Sequence, residues 1–193
     1  DEYAELFFKS GGTSGKPKMA VYTYEDYHKQ MFAASEALFA AGLDPKTDRC
    51  MNLFFSGELY GGFISFWTIL ESMGATQFPM TAIMEYEHVA KTIIDNRVDT
   101  LLGMPFYLSQ LFEACAGELK AYGGIKKIFY GGEHMSAAMV KHYREEFGVE
   151  VVKSAIYGSN DAGPLGYSCT HCEGSVHHVM SRTQYLEIFK LEE

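Results

Sequence analysis

Nine consecutive residues, SGGTSGKPK from Ser10 to Lys18, combine glycines with hydroxyl and lysine side chains. Glycines let the backbone approach a ligand closely and adopt positive φ, while hydroxyl groups and lysines attract anionic oxygens. The segment therefore predicts a loop that holds a chain of phosphates. The residues behind this prediction are Ser10, Gly11, Gly12, Thr13, Ser14, Gly15, Lys16 and Lys18.

The spacing of this loop differs from the Walker pattern G-x-x-x-x-G-K-[ST]. Five positions after Gly11 that pattern requires a glycine, and the sequence has Lys16 followed by Pro17. Considered by composition alone, the segment is also compatible with a flexible surface turn whose lysines are solvated. Its specific order of residues is what favours phosphate binding.

A second cluster with chemical potential lies near the carboxyl terminus, where two cysteines and three histidines fall within ten residues. A Cys-x2-Cys knuckle brings two thiolates together, and a histidine five or six positions later supplies a third soft ligand for Zn²⁺. We favour a structural zinc site here. The predicted ligands are Cys169, Cys172, His177 and His178, with His171 between the cysteines.

Two alternatives to zinc stay open for this cluster. A redox pair is disfavoured because no helix start follows Cys169, as a thioredoxin-like motif requires. The other alternative is a pair of plain buried thiols with histidines on the surface. The isolated Cys50 and Cys115 are interpreted as small core residues.

Composition narrows the class of protein. The chain has 193 residues, 47% hydrophobic and 21% charged, which is typical of a folded globular domain. A formal net charge of −9 disfavours nucleic acid as a partner, because phosphate backbones require a basic surface. The apolar stretches are too short for a membrane span, and the acidic start lacks the features of a secretory signal. Four cysteines do not suggest a disulfide scaffold, so we expect a cytoplasmic location.

The elements that must position these clusters alternate along the chain. The stretch 19–23 predicts a strand, and a helix follows in which Tyr27, Met31, Ala34 and Leu38 share one face. Thr23, with Asp26 three residues later, is typical of a helix start. Gly42 and Pro45 mark the end of that helix.

Further strand and helix pairs follow up to "VEVVKSAIYG", including a helix expected over 59–72. This alternation predicts an α/β fold with a parallel sheet covered by helices on both faces. Ligands of such sheets bind at the carboxyl ends of the strands. After residue 158 turn residues dominate and "TQYLEIF" alternates, so we expect a β-rich segment there. The predicted division is an α/β core over 1–158, which carries the predicted phosphate loop, and a Cys/His loop with the start of a β-rich lobe over 159–193.

Three motifs in order resemble those of the adenylate-forming, or acyl-CoA synthetase, superfamily. They are the Ser10–Lys18 loop, "IFYGGEHMS" at 128–136 and "IYGSNDAGP" at 156–164. The tail from "GPLGYSC" to "QYLEIF" resembles the branch of phenylacetate-CoA ligases and coenzyme F390 synthetases. The resemblance spans nearly the whole chain, as part of that family's large N-terminal domain.

The resemblance implies attack of a carboxylate on the α-phosphate of ATP, followed by transfer of the acyl group to a thiol such as coenzyme A. It implies that Thr13, Ser14, Gly15 and Lys16 hold the β and γ phosphates, with Thr13, Lys16 and Asp161 as the catalytic residues. It places Gly131, Gly132 and Glu133 beside the adenine, with Tyr157 stacked on the adenine ring. It also implies that the residues after Tyr157 contact the nucleotide, namely Gly158, Ser159, Asn160 and Asp161.

Asn160 and Asp161 depart from the family pattern, which has threonine and glutamate at these positions. Asp161 keeps the oxygen ligand that Mg²⁺ prefers but is one methylene shorter, and Asn160 can still donate a hydrogen bond to phosphate. The alternative interpretation is a simple turn with favourable turn residues. The departures therefore leave the predicted site plausible with altered geometry.

For the carboxylic acid, Tyr60, Phe106 and Tyr107 are expected to form an aromatic wall, although aromatic residues at helix starts are more often core. The hinge and small C-terminal domain of the family are not found in this sequence, so we expect negligible adenylation by these residues alone. A non-catalytic nucleotide-binding module and a zinc-stabilised interaction module remain alternatives. A homodimer is also compatible with the sequence.

Overall fold

The computed structural model describes residues 3–11 and 15–190. Its elements follow the order expected for an α/β domain. The strands are β1 (Leu6–Lys9), β2 (Met19–Tyr22), β3 (Arg49–Leu53), β4 (Thr76–Pro79), β5 (Thr100–Gly103), β6 (Lys127–Tyr130), β7 (Val151–Ser154), β8 (Tyr157–Ser159), β9 (Gly163–Tyr167) and β10 (His178–Val179). The helices are α1 (Tyr24–Ala40), α2 (Gly62–Met73), α3 (Tyr86–Asp95), α4 (Pro105–Ala114), α5 (Ala116–Tyr122) and α6 (Ala137–Phe147).

Five strands form the central sheet in the order β4-β3-β5-β6-β7, and every neighbouring pair is parallel. Successive strand residues point to opposite faces, so Leu101 packs in one core cluster and Leu102 in the other. The first cluster lies under α3 to α6 and the second under α1 and α2. Helices therefore cover both faces of a parallel sheet, which confirms the predicted fold class.

Helix α1 shows how local sequence sets an element. The Thr23 side chain accepts a hydrogen bond from the amide of Asp26, which caps the first turn. Tyr27, Met31 and Leu38 are all buried on one face of this helix. The predicted start and buried face of α1 are confirmed.

Two smaller sheets flank the central one. Strands β1 and β2 form an antiparallel hairpin, in which Lys9 pairs with Met19 across the glycine-rich loop. Strands β10, β9 and β8 form an antiparallel sheet that follows the last parallel strand. This second sheet is the predicted β-rich segment, and the division predicted at residue 158 falls inside β8.

The structure differs from the sequence-based predictions in three local details. Helix α2 begins at Gly62 rather than at 59, because Glu58 and Leu59 have positive φ and form a turn. The short helix α5 was not anticipated. The alternating segment 183–189 forms no strand among the described residues, and its side chains at Tyr185 and Ile188 are about nine-tenths exposed, so it lacks a neighbouring strand to pair with.

Within the part of the chain that the structure describes, the helices are too short or too polar to cross a lipid bilayer.

Candidate nucleotide site and Cys/His cluster

The glycine-rich loop is closed at its base by the hairpin. The amide of Ser10 donates to the carbonyl of Lys18 at 2.9 Å, and the amide of Lys18 donates to Ser10 Oγ at 2.9 Å. The Lys16 and Lys18 side chains lie on the surface. The predicted phosphate contacts of Gly12, Thr13 and Ser14 lie outside the described residues, so the structure fixes the two ends of this loop.

The hairpin is joined to the segment that carries Tyr157 and Asp161. Asn160 Nδ2 donates to the carbonyl of Lys9 at 2.7 Å, and the Tyr22 hydroxyl donates to the carbonyl of Asn160 at 2.5 Å. Burial, and after it the negative charge of Asp161, raises the pKa of the Tyr22 phenol. Asn160 therefore binds both strands of the hairpin and holds Asp161 on the same side of the molecule.

The loop after β6 supplies the next part of the site. Gly131 and Gly132 follow the strand directly, and Gly132 has φ of 81°, a backbone conformation that favours glycine. The carboxylate of Glu133 accepts a hydrogen bond from the amide of Phe106 at 3.2 Å. A carboxylate at the start of α4 is favoured by the helix dipole, so Glu133 ties this loop to the first turn of that helix.

A cavity of about 530 Å³ opens between this loop and Tyr157, at the carboxyl ends of β6 and β7. Gly131, Glu133 and Tyr157 line it together with His177, whose ring centroid lies 5.6 Å from that of Tyr157. The volume lies within the range of about 300–1,000 Å³ typical of small-molecule sites. The Tyr157 ring is 60% exposed, so one of its faces is accessible to a flat ligand.

His177 was assigned to the metal cluster from its sequence position, and the structure places it in the cavity wall instead. Its Nδ1 lies 2.8 Å from the carbonyl of Ser175 and its Nε2 lies 2.9 Å from Ser154 Oγ. A carbonyl can only accept, so Nδ1 carries a proton, and Nε2 of the neutral ring accepts from the serine hydroxyl. The sequence offered no signal for this role, because the pairing with Ser154 depends on how β7 and β10 approach each other.

The three aromatic residues predicted to face the acid have different surroundings in the structure. Tyr107 is buried, its hydroxyl donates to the carbonyl of Ile83 at 2.6 Å, and burial raises its pKa to about 12. Phe106 is 64% exposed although the next residue, Tyr107, is buried, because consecutive helix residues point in different directions. Tyr60 lies beside the glycine-rich loop, where a side-chain carbon on Gly11 would lie 3.6 Å from the Tyr60 hydroxyl. Tyr107 therefore packs as a core residue, and the contact of Tyr60 and Phe106 with the acid stays a prediction.

The Cys/His cluster forms a triangle of ligand atoms. The Sγ atoms of Cys169 and Cys172 are 3.5 Å apart, and His178 Nε2 lies 3.3 Å from the first and 3.5 Å from the second. The hydrogen bond from His178 is the largest cause that lowers the pKa of Cys169, to about 6. Of the two histidines predicted as ligands, His178 joins the cysteines.

The other two cysteines behave as the sequence indicated. Cys50 and Cys115 are buried in the hydrophobic core with free thiols, and burial raises the pKa of Cys50 to about 12.

The fold and these loops define an α/β domain with a ligand cavity at the carboxyl edge of its sheet. Residues 6–185 match the model of the family described as AMP-binding enzyme, and the chain belongs to this family. The chain is 26% identical over 167 residues to the indoleacetate–lysine synthetase of Pseudomonas savastanoi, covering 84% of this chain and 41% of the relative. It is 30% identical over 159 residues to the phenylacetate-coenzyme A ligase of Escherichia coli (strain K12), covering 80% of this chain and 35% of the relative.

Among solved structures, the fold is similar to 2-hydroxyisobutyryl-CoA ligase in an open conformation in complex with 2-HIB-AMP and CoA. The TM-score is 0.74 at 16% identity, with 88% of this chain and 40% of that chain covered. The chain thus spans about two-fifths or less of the length of these relatives.

Proposed function

We propose that the complete natural polypeptide containing this sequence activates a carboxylic acid with ATP as an acyl-adenylate and passes the acyl group to a thiol such as coenzyme A. Membership of the AMP-binding enzyme family supports the nucleotide chemistry. The name of the phenylacetate-coenzyme A ligase of Escherichia coli supports an aryl acid as the substrate class and coenzyme A as the acceptor. Within the family we favour a phenylacetate-CoA ligase-like subtype.

The observation that carries the proposal is the Asn160 contact between the hairpin and the Tyr157 segment. The Asn160 side-chain nitrogen lies 2.7 Å from the carbonyl oxygen of Lys9, the residue directly before the glycine-rich loop. Tyr157, three residues before Asn160, lines the cavity. A nucleotide whose base lies beside Tyr157 can therefore direct its phosphates toward this loop. The first step needs positioning and charge neutralisation rather than covalent participation by the protein.

Each side chain has a distinct part in this proposal. Gly131, Gly132 and Glu133 border the adenine, Tyr157 stacks on it, and Lys16 with its hydroxyl neighbours neutralises the β and γ phosphates. The Asn160 amide already bonds the Lys9 carbonyl, so its part is to position the loop rather than to bind the α-phosphate.

Asp161 fits a site for Mg²⁺, because its carboxylate is exposed and offers the hard oxygen ligand that this ion prefers. Mg²⁺ bound there would supply charge neutralisation on the triphosphate. We place the protein in a reducing compartment such as the cytoplasm, since its four thiols are free. We also assign Zn²⁺ to the Cys/His cluster.

The test is ATP–pyrophosphate exchange by the complete polypeptide with a panel of aryl and fatty acids. We expect exchange with at least one acid, and a loss of about a hundredfold or more in Asp161→Asn, as when a group that stabilises transition-state charge is removed. Asp26→Asn, which changes an exposed carboxylate in the first turn of α1, should exchange normally. Exchange with no acid would remove the ligase proposal. Tight ATP binding without exchange would then indicate a non-catalytic nucleotide module, and zinc content without nucleotide affinity an interaction module.

A further inference from the structure

The triangle of Cys169, Cys172 and His178 has the dimensions of a tetrahedral zinc site. Zn–S distances of about 2.3 Å and Zn–N distances of about 2.0–2.1 Å require about 3.8 Å between two sulfurs and about 3.5 Å between sulfur and nitrogen. The observed separations are 3.5 Å between the sulfurs and 3.3 and 3.5 Å from the imidazole to each of them. The sulfur–sulfur separation therefore differs from the tetrahedral value by only about 0.3 Å.

The donor atoms determine which metal suits the site. Two thiolates and an imidazole are soft or borderline ligands, whereas Ca²⁺ and Mg²⁺ prefer carboxylate and carbonyl oxygens. Across residues 3–11 and 15–190, no fourth cysteine, histidine or carboxylate joins the three. Three protein ligands leave one position of a tetrahedral zinc for water or another small ligand.

The knuckle that carries the two cysteines is held by the rest of the fold. The Lys153 ammonium group donates to the carbonyls of Thr170 and Cys172, and the Thr170 amide donates to the carbonyl of Ala40 at the end of α1. The amide of Cys172 also donates to the carbonyl of Cys169 at 3.1 Å, which closes the turn. The two sulfurs are therefore positioned by backbone contacts that do not depend on the metal.

The third ligand connects the cluster to the cavity. His178 pairs with Tyr167 across β10 and β9, and the preceding residue, His177, lies in the cavity wall beside Tyr157. Strand β10 has only two residues, so few backbone hydrogen bonds hold it in place. A metal bond to His178 would fix this strand and, through it, the position of His177 against Ser154.

We propose that Cys169, Cys172 and His178 bind one Zn²⁺ ion, and that the bound ion fixes the His177 wall of the cavity. Zn²⁺ replaces the protons of the two thiols, which pass to solvent, and takes the neutral Nε2 lone pair of His178. The metal site stands independently of the proposed function. Its effect on nucleotide affinity rests on that function.

The metal is tested by the zinc content of the purified polypeptide, measured by inductively coupled plasma mass spectrometry, and by the absorption spectrum after replacement with Co²⁺. We expect one zinc per chain and the intense bands of a tetrahedral cobalt–thiolate centre. His178→Asn should lose the stoichiometric zinc, while His171→Asn, which changes an exposed histidine between the two cysteines, should keep it. His178 is itself exposed, so its replacement is compatible with folding. Wild-type protein without zinc or cobalt binding, or His178→Asn with undiminished zinc, would overturn the site.

The effect on the cavity is tested by AMP affinity, measured by calorimetry on the same complete polypeptides with and without zinc. We expect zinc removal and His178→Asn each to weaken AMP binding by about fivefold or more, the lower range of couplings between two sites. His171→Asn should bind AMP like the wild type. Equal AMP affinity with and without zinc would overturn the link to the cavity. Absence of AMP binding in the zinc-loaded wild type would contradict the proposed function, and the measured zinc content would still decide the metal site.

Discussion

The parallel and antiparallel sheets of this molecule are stabilised in different ways. In the parallel sheet, all four residues of β5 are buried, and residues of β6 pack between helices on both faces. In the antiparallel sheet, every residue of β8 and β10 is exposed. The first region is held by apolar burial on both sides. In the second region only the middle strand β9 is partly buried against the rest of the fold, and polar contacts join its outer parts to their neighbours.

Because of this difference, substitutions in the two sheets should change different measured quantities. Apolar burial contributes about 25 cal/mol per Å², so changes in the parallel sheet should act mainly on the free energy of unfolding. The antiparallel sheet lines the cavity and reaches the hairpin through a few hydrogen bonds. Changes there should act mainly on ligand affinity.

The largest effect is expected from an ion pair within the first region. Lys127 Nζ lies 2.8 Å from both carboxylate oxygens of Asp48 and 2.9 Å from the carbonyl of Gly42, and the Asp48 side chain is only 6% exposed. Lys127→Met leaves that carboxylate buried without its cation, which costs about 3 kcal/mol, the lower end of the range for buried pairs because Lys127 is partly exposed. Urea unfolding monitored by circular dichroism measures the loss.

The matched control is the ion pair between Arg182 and Glu36, which joins the second region to α1. Its side chains are 72% and 50% exposed, so Arg182→Met should cost less than about 1 kcal/mol. Similar losses in the two variants would contradict the division between a buried and a polar region.

A second effect concerns alkaline pH and should arise in the first region. Tyr143 is 1% exposed, its hydroxyl has no hydrogen-bond partner among the described residues, and burial raises its pKa to about 12. The unfolded chain loses this proton near the ordinary tyrosine pKa of 10.0, while the folded protein keeps it, so the free energy of unfolding falls as the pH rises from 10 toward 12. In Tyr143→Phe, the loss of stability between pH 10 and pH 12 should be smaller by about 2 kcal/mol. Unfolding measured across this pH range tests it.

Tyr107→Phe provides the comparison for Tyr143. Its pKa is also raised to about 12 by burial, but its hydroxyl donates to the carbonyl of Ile83. Near neutral pH, Tyr107→Phe should lose about 0.5–1.5 kcal/mol, whereas Tyr143→Phe should lose nothing because it removes an unpaired buried hydroxyl. A stability loss at neutral pH in Tyr143→Phe would show that this hydroxyl has a partner.

The same division explains how far the sequence could predict the structure. The parallel sheet and the buried face of α1 follow from apolar periodicity and from a cap at Thr23, which are local signals. The turn at Glu58 and Leu59 was missed, because positive φ at residues other than glycine has no dependable sequence signal. Segment 183–189 alternates like a strand, yet a strand also needs a neighbour to pair with, and periodicity does not reveal one.

In the candidate site, residue types were predictable but their partners were not. The knuckle spacing identified Cys169 and Cys172 as neighbours, since a three-residue turn fixes their separation. The choice between His177 and His178 depends on where each side chain points at the start of β10, which begins at His178 and pairs with β9. Asn160 was expected to donate to phosphate, and its contact with the Lys9 carbonyl across 151 residues of chain could not be read from spacing.

The smallest of the three main effects on stability concerns this Asn160 contact in the second region, and its loss should also have a distinct effect on binding. Asn160→Thr removes the side-chain amide that donates to the Lys9 carbonyl, and it keeps the backbone carbonyl that accepts from Tyr22. We expect a loss of about 1 kcal/mol in stability and weaker AMP binding by about fivefold, because the hairpin is no longer fixed beside Tyr157. Urea unfolding and calorimetry on the complete polypeptide measure the two effects.

Gln184→Thr is the control for Asn160→Thr. Gln184 Nε2 donates to the carbonyl of Ala162 at 2.7 Å, an equivalent amide-to-carbonyl bond in the same region, made to a residue outside the hairpin. Its loss should lower stability by a similar amount and leave AMP affinity unchanged. If both variants bound AMP like the wild type, the hairpin would be positioned by contacts other than Asn160. If both weakened AMP binding equally, the cause would be a general loosening of the antiparallel sheet. That result would contradict a specific role of Asn160 in positioning the glycine-rich loop.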